Sequence, residues 1–251
     1  MCTVSFVPFT KDHIILTSNR DETTARGLAS FPRVIEKENY KIVCPVDPLA
    51  SGTWIAASNY GDMICLLNGA FKRHKHEPPY RKSRGLVVLD YFDMGDPEKF
   101  AASYELSGIE PFTMVMVWRH PKVQLFELRW DGNDKFFKGL NSMKAHLWSS
   151  ATLYNEELIR KKKEKFEELL SEAFKSSPVT PETLMDIHRR FLYEDWVKAP
   201  ERVEVVATLS ITSVESIIDE LKIYYRDLVQ KDLPLASLTL TLNKRSPKIQ
   251  F

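Results

Sequence analysis

Cysteine is sparse in this chain: Cys2, Cys44 and Cys65 are the only three in 251 residues. They form no Cys-x-x-Cys pair and no metal-ligand spacing, so neither a dithiol redox motif nor a metal site is expected. An odd, thin set of thiols points to a reducing compartment, and a cytoplasmic location is expected. Cys44 and Cys65 sit in apolar, strand-like runs and are expected to act as small buried hydrophobes. Glycine is scarce too, with nine in all. No Gly-rich phosphate loop, dinucleotide-binding fingerprint or Gly-x-Ser-x-Gly elbow occurs. No run approaches 18 consecutive apolar residues, so no transmembrane helix is expected. The apolar first nine residues lack a basic flank and a small-residue cleavage site, and read as a strand instead of a signal peptide. Neither sign of charge dominates, the formal net charge being +1, so the overall field argues neither for nor against nucleic acid; no nucleic-acid partner is expected. No repeat, low-complexity tract or Pro/Gly/Ser-rich linker divides the chain, so one domain over residues 1–251 is expected.

What is present describes a chain able to build a core, with 43% hydrophobic and 27% charged residues. Short strands pair across turns in the first half. Thr3–Phe9 pairs with His13–Ser18, Trp54–Ser58 with Met63–Leu67, and Phe112–Arg119 with Val123–Trp130. Arg84–Met94 reads as a helix with Ser83 as cap and Gly95 as stop, and Pro97–Tyr104 as a shorter one. From Asn155 to Phe174 a helix carries Leu158, Phe166, Leu169, Leu170 and Phe174 as its apolar stripe. Its run Arg160-Lys161-Lys162-Lys163 is expected to face water with Glu164, Glu167 and Glu168. Thr180-Pro181 opens another helix that runs to about Phe191. Val203–Val214 and Leu221–Leu228 form a last hairpin about Asp219-Glu220, and Leu238–Leu242 an edge strand. Antiparallel strands with helices in blocks predict an α+β fold of two sheets between helical layers.

Position 2 carries the most chemistry. Removal of Met1 would put a thiol and an α-amine on Cys2. An α-amine titrates at about 7.7–8.0 and a thiol at about 8.5, so the amine can take the thiol proton. Nucleophile and base then share one residue. Such a site needs a carboxylate to hold the amine and a cation or amide to steady the thiolate and the oxyanion. The tetrad Asn19-Arg20-Asp21-Glu22, closing the second strand, returns beside Cys2 and supplies Arg20 and Asp21. Asn68, before Gly69 at a strand end, is a candidate oxyanion donor, although Asn-Gly is also a plain turn dipeptide. The basic stretch Lys72-Arg73-His74-Lys75-His76 with Arg81, Lys82 and Arg84 is either a pocket rim for an anionic substrate or a solvated loop.

Met1-Cys2-Thr3, the segment Leu16–Glu22, Gly52-Thr53-Trp54-Ile55-Ala56, Leu67-Asn68 and Ser83-Arg84-Gly85 together resemble the NRDE family, which is transport and Golgi organisation protein 2-like. That family looks like a branch of the N-terminal nucleophile (Ntn) hydrolases, and the resemblance implies a four-layer αββα sandwich of two mostly antiparallel sheets. It implies Cys2 as nucleophile, Arg20 and Asp21 as pocket charges and Asn68 as oxyanion donor. Two departures stand out. Arg20 and Asp21 are adjacent where acylase-like relatives separate them, and Ser150 replaces an Asn, removing an amide donor. The first functional expectation is hydrolysis of a non-peptide C–N bond of a small-molecule amide through a thioester. The alternative is a non-catalytic carrier using the same pocket for a hydrophobic anionic ligand, haem or a lipid or acyl-CoA. No cofactor is expected, haem entering only as a candidate ligand.

Overall fold

A computed structural model describes residues 3–176, 178–197, 206–230 and 232–244. Cys2, like residues 203–205 of the expected strand at Val203, lies outside the described residues. Six strands build one antiparallel sheet: β1 (Thr3–Pro8), β2 (Ile14–Thr23), β10 (His146–Ser149), β11 (Val206–Ser216), β12 (Glu220–Asp227) and β13 (Ala236–Thr241). Their order is β10-β1-β2-β11-β12-β13. Seven build the other, in sequence order: β3 (Arg33–Glu36), β4 (Lys41–Cys44), β5 (Ile55–Ser58), β6 (Met63–Asn68), β7 (Phe112–Arg119), β8 (Val123–Trp130) and β9 (Lys135–Leu140).

The sheets face each other across one apolar cluster that takes Val4, Phe6 and Leu16 from the first and Ile55, Cys65 and Val115 from the second. Trp148 of β10 donates its indole N–H to Glu127 of β8 at 2.7 Å, a polar tie between the two sheets. The helices α1 (Arg84–Met94) and α2 (Pro97–Ser103) cover the seven-stranded sheet, contributing Val87, Val88, Tyr91 and Phe100 to the same cluster. On the other side lie α3 (Glu156–Ser176), α4 (Pro181–His188) and the short α5 (Tyr193–Trp196). There Phe166, Leu170, Leu184 and Ile187 meet Val7 and Ile15 of the six-stranded sheet. The result is an α+β sandwich of four layers, helix, sheet, sheet, helix.

Local chemistry explains the helix starts. Thr180 and Thr183 exchange side-chain and backbone hydrogen bonds in a capping box at the head of α4, with Pro181 at the first position. Ser83 stands at the N-cap of α1 but its side chain makes no capping bond. The strand-like run at Cys44 is β4, but three strands escape the sequence pattern: β3, β9 and β10. All three are sheet edges, where one side of the strand has no neighbour and the apolar alternation is weak.

Two further expectations are corrected. β2 does not close at Ser18 but runs on to Thr23, because the long β11 pairs with it as far as Val206↔Thr23. The tetrad is therefore inside a strand, and its side chains alternate between faces. The lysine run on α3 is not uniformly solvated. Lys162 is 0% exposed, since it stands one turn before Phe166 and two before Leu170 on the face packed against the sheet.

Candidate functional site

β1 begins with Thr3, paired with Asn19 of β2, so Arg20 and Asp21 continue β2 beyond the described part of β1. Their adjacency sends them opposite ways. The bulge in β11 between Thr208 and Ser210 lies across from them, Asp21 facing Thr208 and Arg20 facing Ser210.

Arg20 points between the sheets and is almost wholly buried. Its Nη2 is 3.0 Å from Asp47 Oδ2, its Nη1 donates to the Gly27 carbonyl, and its guanidinium lies 5.1 Å from the Trp54 ring centroid. Asp47 also takes Arg26 Nε at 2.9 Å and the amides of Leu49 and Ala50. Burial alone would raise the Asp47 carboxyl, but the Ala50 amide and the two guanidiniums outweigh it and hold it below the usual range.

Asp21 points the other way, toward the helices. It accepts from the Thr208 hydroxyl at 2.6 Å and from the Tyr154 hydroxyl at 3.1 Å. Asn68 ends β6 and stands between the two. It borders a cavity of about 310 Å³ lined by Arg20, Asp47, Trp54 and Arg84. It also borders an adjoining one of about 370 Å³ lined by Asp21, Arg73, His74 and Glu110. The Asn68 carbonyl accepts from Ser150 Oγ at 2.7 Å, and Ser150 Oγ is also 2.9 Å from the Thr152 hydroxyl. The Ser150 hydroxyl is thus spent on the backbone and on its own loop.

Two glycines allow these approaches. Gly69 has φ +80°, and a Cβ there would come within 2.8 Å of Thr152 Cγ2. At Gly52 a Cβ would lie 2.5 Å from the carbonyl carbon of Gly85, so only glycine lets the head of α1 close one cavity wall.

The basic stretch divides. His74 Nε2 and His76 Nδ1 both reach Glu110 Oε1, at 3.0 and 3.2 Å, while Arg84 Nη2 holds Oε2 at 2.9 Å. Burial opposes ionisation of Glu110, but Arg84 and the two histidines prevail and keep its carboxyl below the usual range. Arg73, His74 and His76 therefore rim the second cavity, although of this run only His74 is partly buried, Lys72, Arg73, Lys75 and His76 being exposed. Trp54 is 3% exposed and its indole N–H has no partner among the described residues.

Asp47, Glu110, Tyr154 and Thr208 carry no signal by spacing. Asp47 alone had a local clue, since Asp before Pro48 suits a turn closed by its own side chain.

The described fold is similar over nearly its whole length to two crystal structures of conjugated bile acid hydrolase from Clostridium perfringens, a mutant and a variant. The first has a TM-score of 0.62 at 8% identity, covering 98% of this chain and 97% of that one. The second has a TM-score of 0.60 at 9% identity, covering 99% and 100%. An N-acylethanolamine-hydrolyzing acid amidase ortholog from Caenorhabditis elegans matches with a TM-score of 0.48 at 11% identity, covering 84% and 92%. At such identities the likeness is one of fold, that of the N-terminal nucleophile hydrolases. A comparison of sequence with curated proteins finds no match. The Transport and Golgi organisation 2 family profile matches residues 1–218, and the chain belongs to that family.

Proposed function

We propose that this protein is a cysteine-nucleophile hydrolase of a small-molecule amide, with Cys2 acting after removal of Met1. The observation that carries the reading is the position of Asn68, which borders two adjoining cavities with Arg20 in one and Asp21 in the other. Both lie at the end of the β1–β2 pair that begins one residue after Cys2. The Cys2 thiol gives its proton to the α-amine, and the sulfur attacks the amide carbon. The Asn68 side-chain amide, which makes no hydrogen bond among the described residues, donates to the oxyanion. Collapse expels the amine with the transferred proton and leaves a thioester. Water then releases the carboxylic acid and restores the thiol. Asp21 holds the α-amine, and Arg20, clamped by Asp47, supplies a fixed positive charge.

The reading belongs to a reducing, cytoplasmic setting. Burial pushes the Cys44 thiol up to about 11 and the Cys65 thiol up to about 12, so neither competes with Cys2 at neutral pH. The second reading, a carrier of a hydrophobic anion such as haem or an acyl-CoA, is supported by Arg73, His74 and His76 on the rim and by the Ser150 hydroxyl in place of an amide.

Intact-mass and peptide mapping should show Met1 absent and iodoacetamide on Cys2 first. A panel of small amides should release amine with the parent chain and none with Cys2→Ala. Retention of Met1 sinks the hydrolase. Saturable haem absorbance changes without any turnover would favour the carrier.

A further inference from the structure

The loop between β6 and α1 shows an aromatic ring and two free cations to water. Phe71 is 49% exposed, yet it is held in place. Its ring meets Phe136 edge-on at a centroid distance of 4.9 Å, and the Arg129 guanidinium lies 4.9 Å from its centroid. Arg129 also donates to the Ala70 carbonyl at 2.7 Å. Phe136, on the edge strand β9, is itself 44% exposed. A few residues on, His74 and His76 tie the chain to Glu110. Between these two anchors stand Lys72 and Arg73. Both are exposed, and neither has a hydrogen-bond or ion-pair partner among the described residues.

Beside them runs a groove of about 480 Å³, lined by Phe71, Lys72 and Arg73 of this loop and by Leu153, Leu158 and Ile159 at the head of α3. These three aliphatic side chains keep part of their surface open. The groove meets the second cavity at Arg73, Thr152 and Leu153, which border both. Glu156 is the one carboxylate on the groove among the described residues, and Glu77 is engaged by Lys75 at 3.0 Å. Fixed aromatic rings next to unpaired cations suit a bilayer boundary. There, rings settle at headgroup level and Lys and Arg meet anionic headgroups. Two free cations are few for a nucleic acid, whose affinity comes from neutralising many phosphates. At the opposite end of the sandwich, Ile217 and Ile218 are exposed as well, in the turn from β11 to β12. That turn continues into Asp219 and Glu220, which an anionic surface repels.

We infer that this face docks the protein on an anionic lipid bilayer, with Phe71 and Phe136 at the headgroup boundary, Lys72 and Arg73 against lipid phosphates, and the groove covered by the membrane surface. The second cavity then opens beside the bilayer through the groove it adjoins. Attachment is peripheral and reversible, because one aromatic pair and two cations anchor far less than a spanning helix does. Salt weakens it, since Lys72 and Arg73 are exposed charges.

The test is sedimentation of the full chain with vesicles of phosphatidylcholine, with and without phosphatidylglycerol, in low and high salt. The parent should sediment with the mixed vesicles, stay in solution with phosphatidylcholine alone, and come off in high salt. Lys72→Ser with Arg73→Ser should weaken binding about 25-fold, about fivefold for each cation. Phe71→Ser should weaken it too, whereas Ile218→Ser, at the other end, should bind as the parent does. A parent that stays in solution with both vesicles, or binds both equally, overturns the inference. Binding that survives both the double substitution and Phe71→Ser overturns it as well. If a variant does not fold by circular dichroism, the lipid and salt dependence of the parent decides. A parent that ignores vesicles but loses mass in light scattering on Phe71→Ser assigns the face to a second copy of the chain and overturns the bilayer. None of these readouts involves turnover, so their failure leaves the hydrolase reading standing.

Discussion

Arg20 and Asp21 are neighbours in sequence that never share a face. Strand alternation gives the first to the space between the sheets and the second to the helix layer. Each therefore has its own polar neighbours, Asp47 and Gly27 for Arg20, Tyr154 and Thr208 for Asp21. The same alternation puts Ser5 and Asn19 beside His188 on the helix side. His188 carries a pH dependence with a definite sign. Burial and then Lys162 place its pKa at about 3, below the 6.5 of an ordinary imidazole. The unfolded chain therefore binds a proton between those values that the folded chain refuses. Its contribution to stability is complete above pH 6.5 and is lost as the pH falls toward 3. Thermal melts from pH 7 down to pH 4 should show parent stability falling, and His188→Gln should fall less steeply over the same range.

At the scale of elements, the turn after β6 decides where Asn68 stands. Gly69 combines a left-handed backbone with a close approach to Thr152. Gly69→Ala should cost about 1–2 kcal/mol from backbone strain alone, before the contact with Thr152 is counted. Urea unfolding would read the loss. Labelling of Cys2 should stay intact in that variant while amide turnover drops, because the oxyanion donor moves and the thiol does not. α3 makes the complementary point. Its apolar stripe is readable, but Lys162 lies in that stripe between Leu158 and Phe166, and residue type alone marks it as solvated. What shelters it is an aromatic box drawn from α5, from the turn after α4 and from the loop before α3.

For the whole molecule, the two sheets are joined by an apolar core and by Glu127. That carboxylate takes Arg129 Nε at 2.9 Å, Lys138 Nζ at 3.1 Å and the Trp148 indole at 2.7 Å. Burial would raise it, yet these partners, Arg129 foremost, hold it below the usual carboxylate range. Glu127→Ala leaves the Trp148 indole without its acceptor and Arg129 with only the Ala70 carbonyl and the Phe71 ring, and should cost about 3 kcal/mol. For a chain of this length that lowers the melting midpoint by roughly 6–12 °C. If residues 1–251 behave as one domain, calorimetry should show the whole transition moving together, with no early unfolding of one sheet.

The sequence by itself determined the elements whose pattern is local: the β1–β2 hairpin, the capped start of α4, the apolar stripe of α3, and the sheet-and-helix blocks that define the class of fold. It also singled out Cys2, Arg20, Asp21 and Asn68, because those residue types are the ones nucleophilic catalysis requires. Only the tertiary structure decided that the tetrad lies inside a strand, that Arg20 answers to Asp47, and that Lys162 is buried behind Thr3. The reason is physical. Alternation and capping depend on neighbours a few residues away, whereas the partners of a buried charge come from strands and helices up to 187 positions distant. No spacing in the chain records which of them the fold will bring to its side.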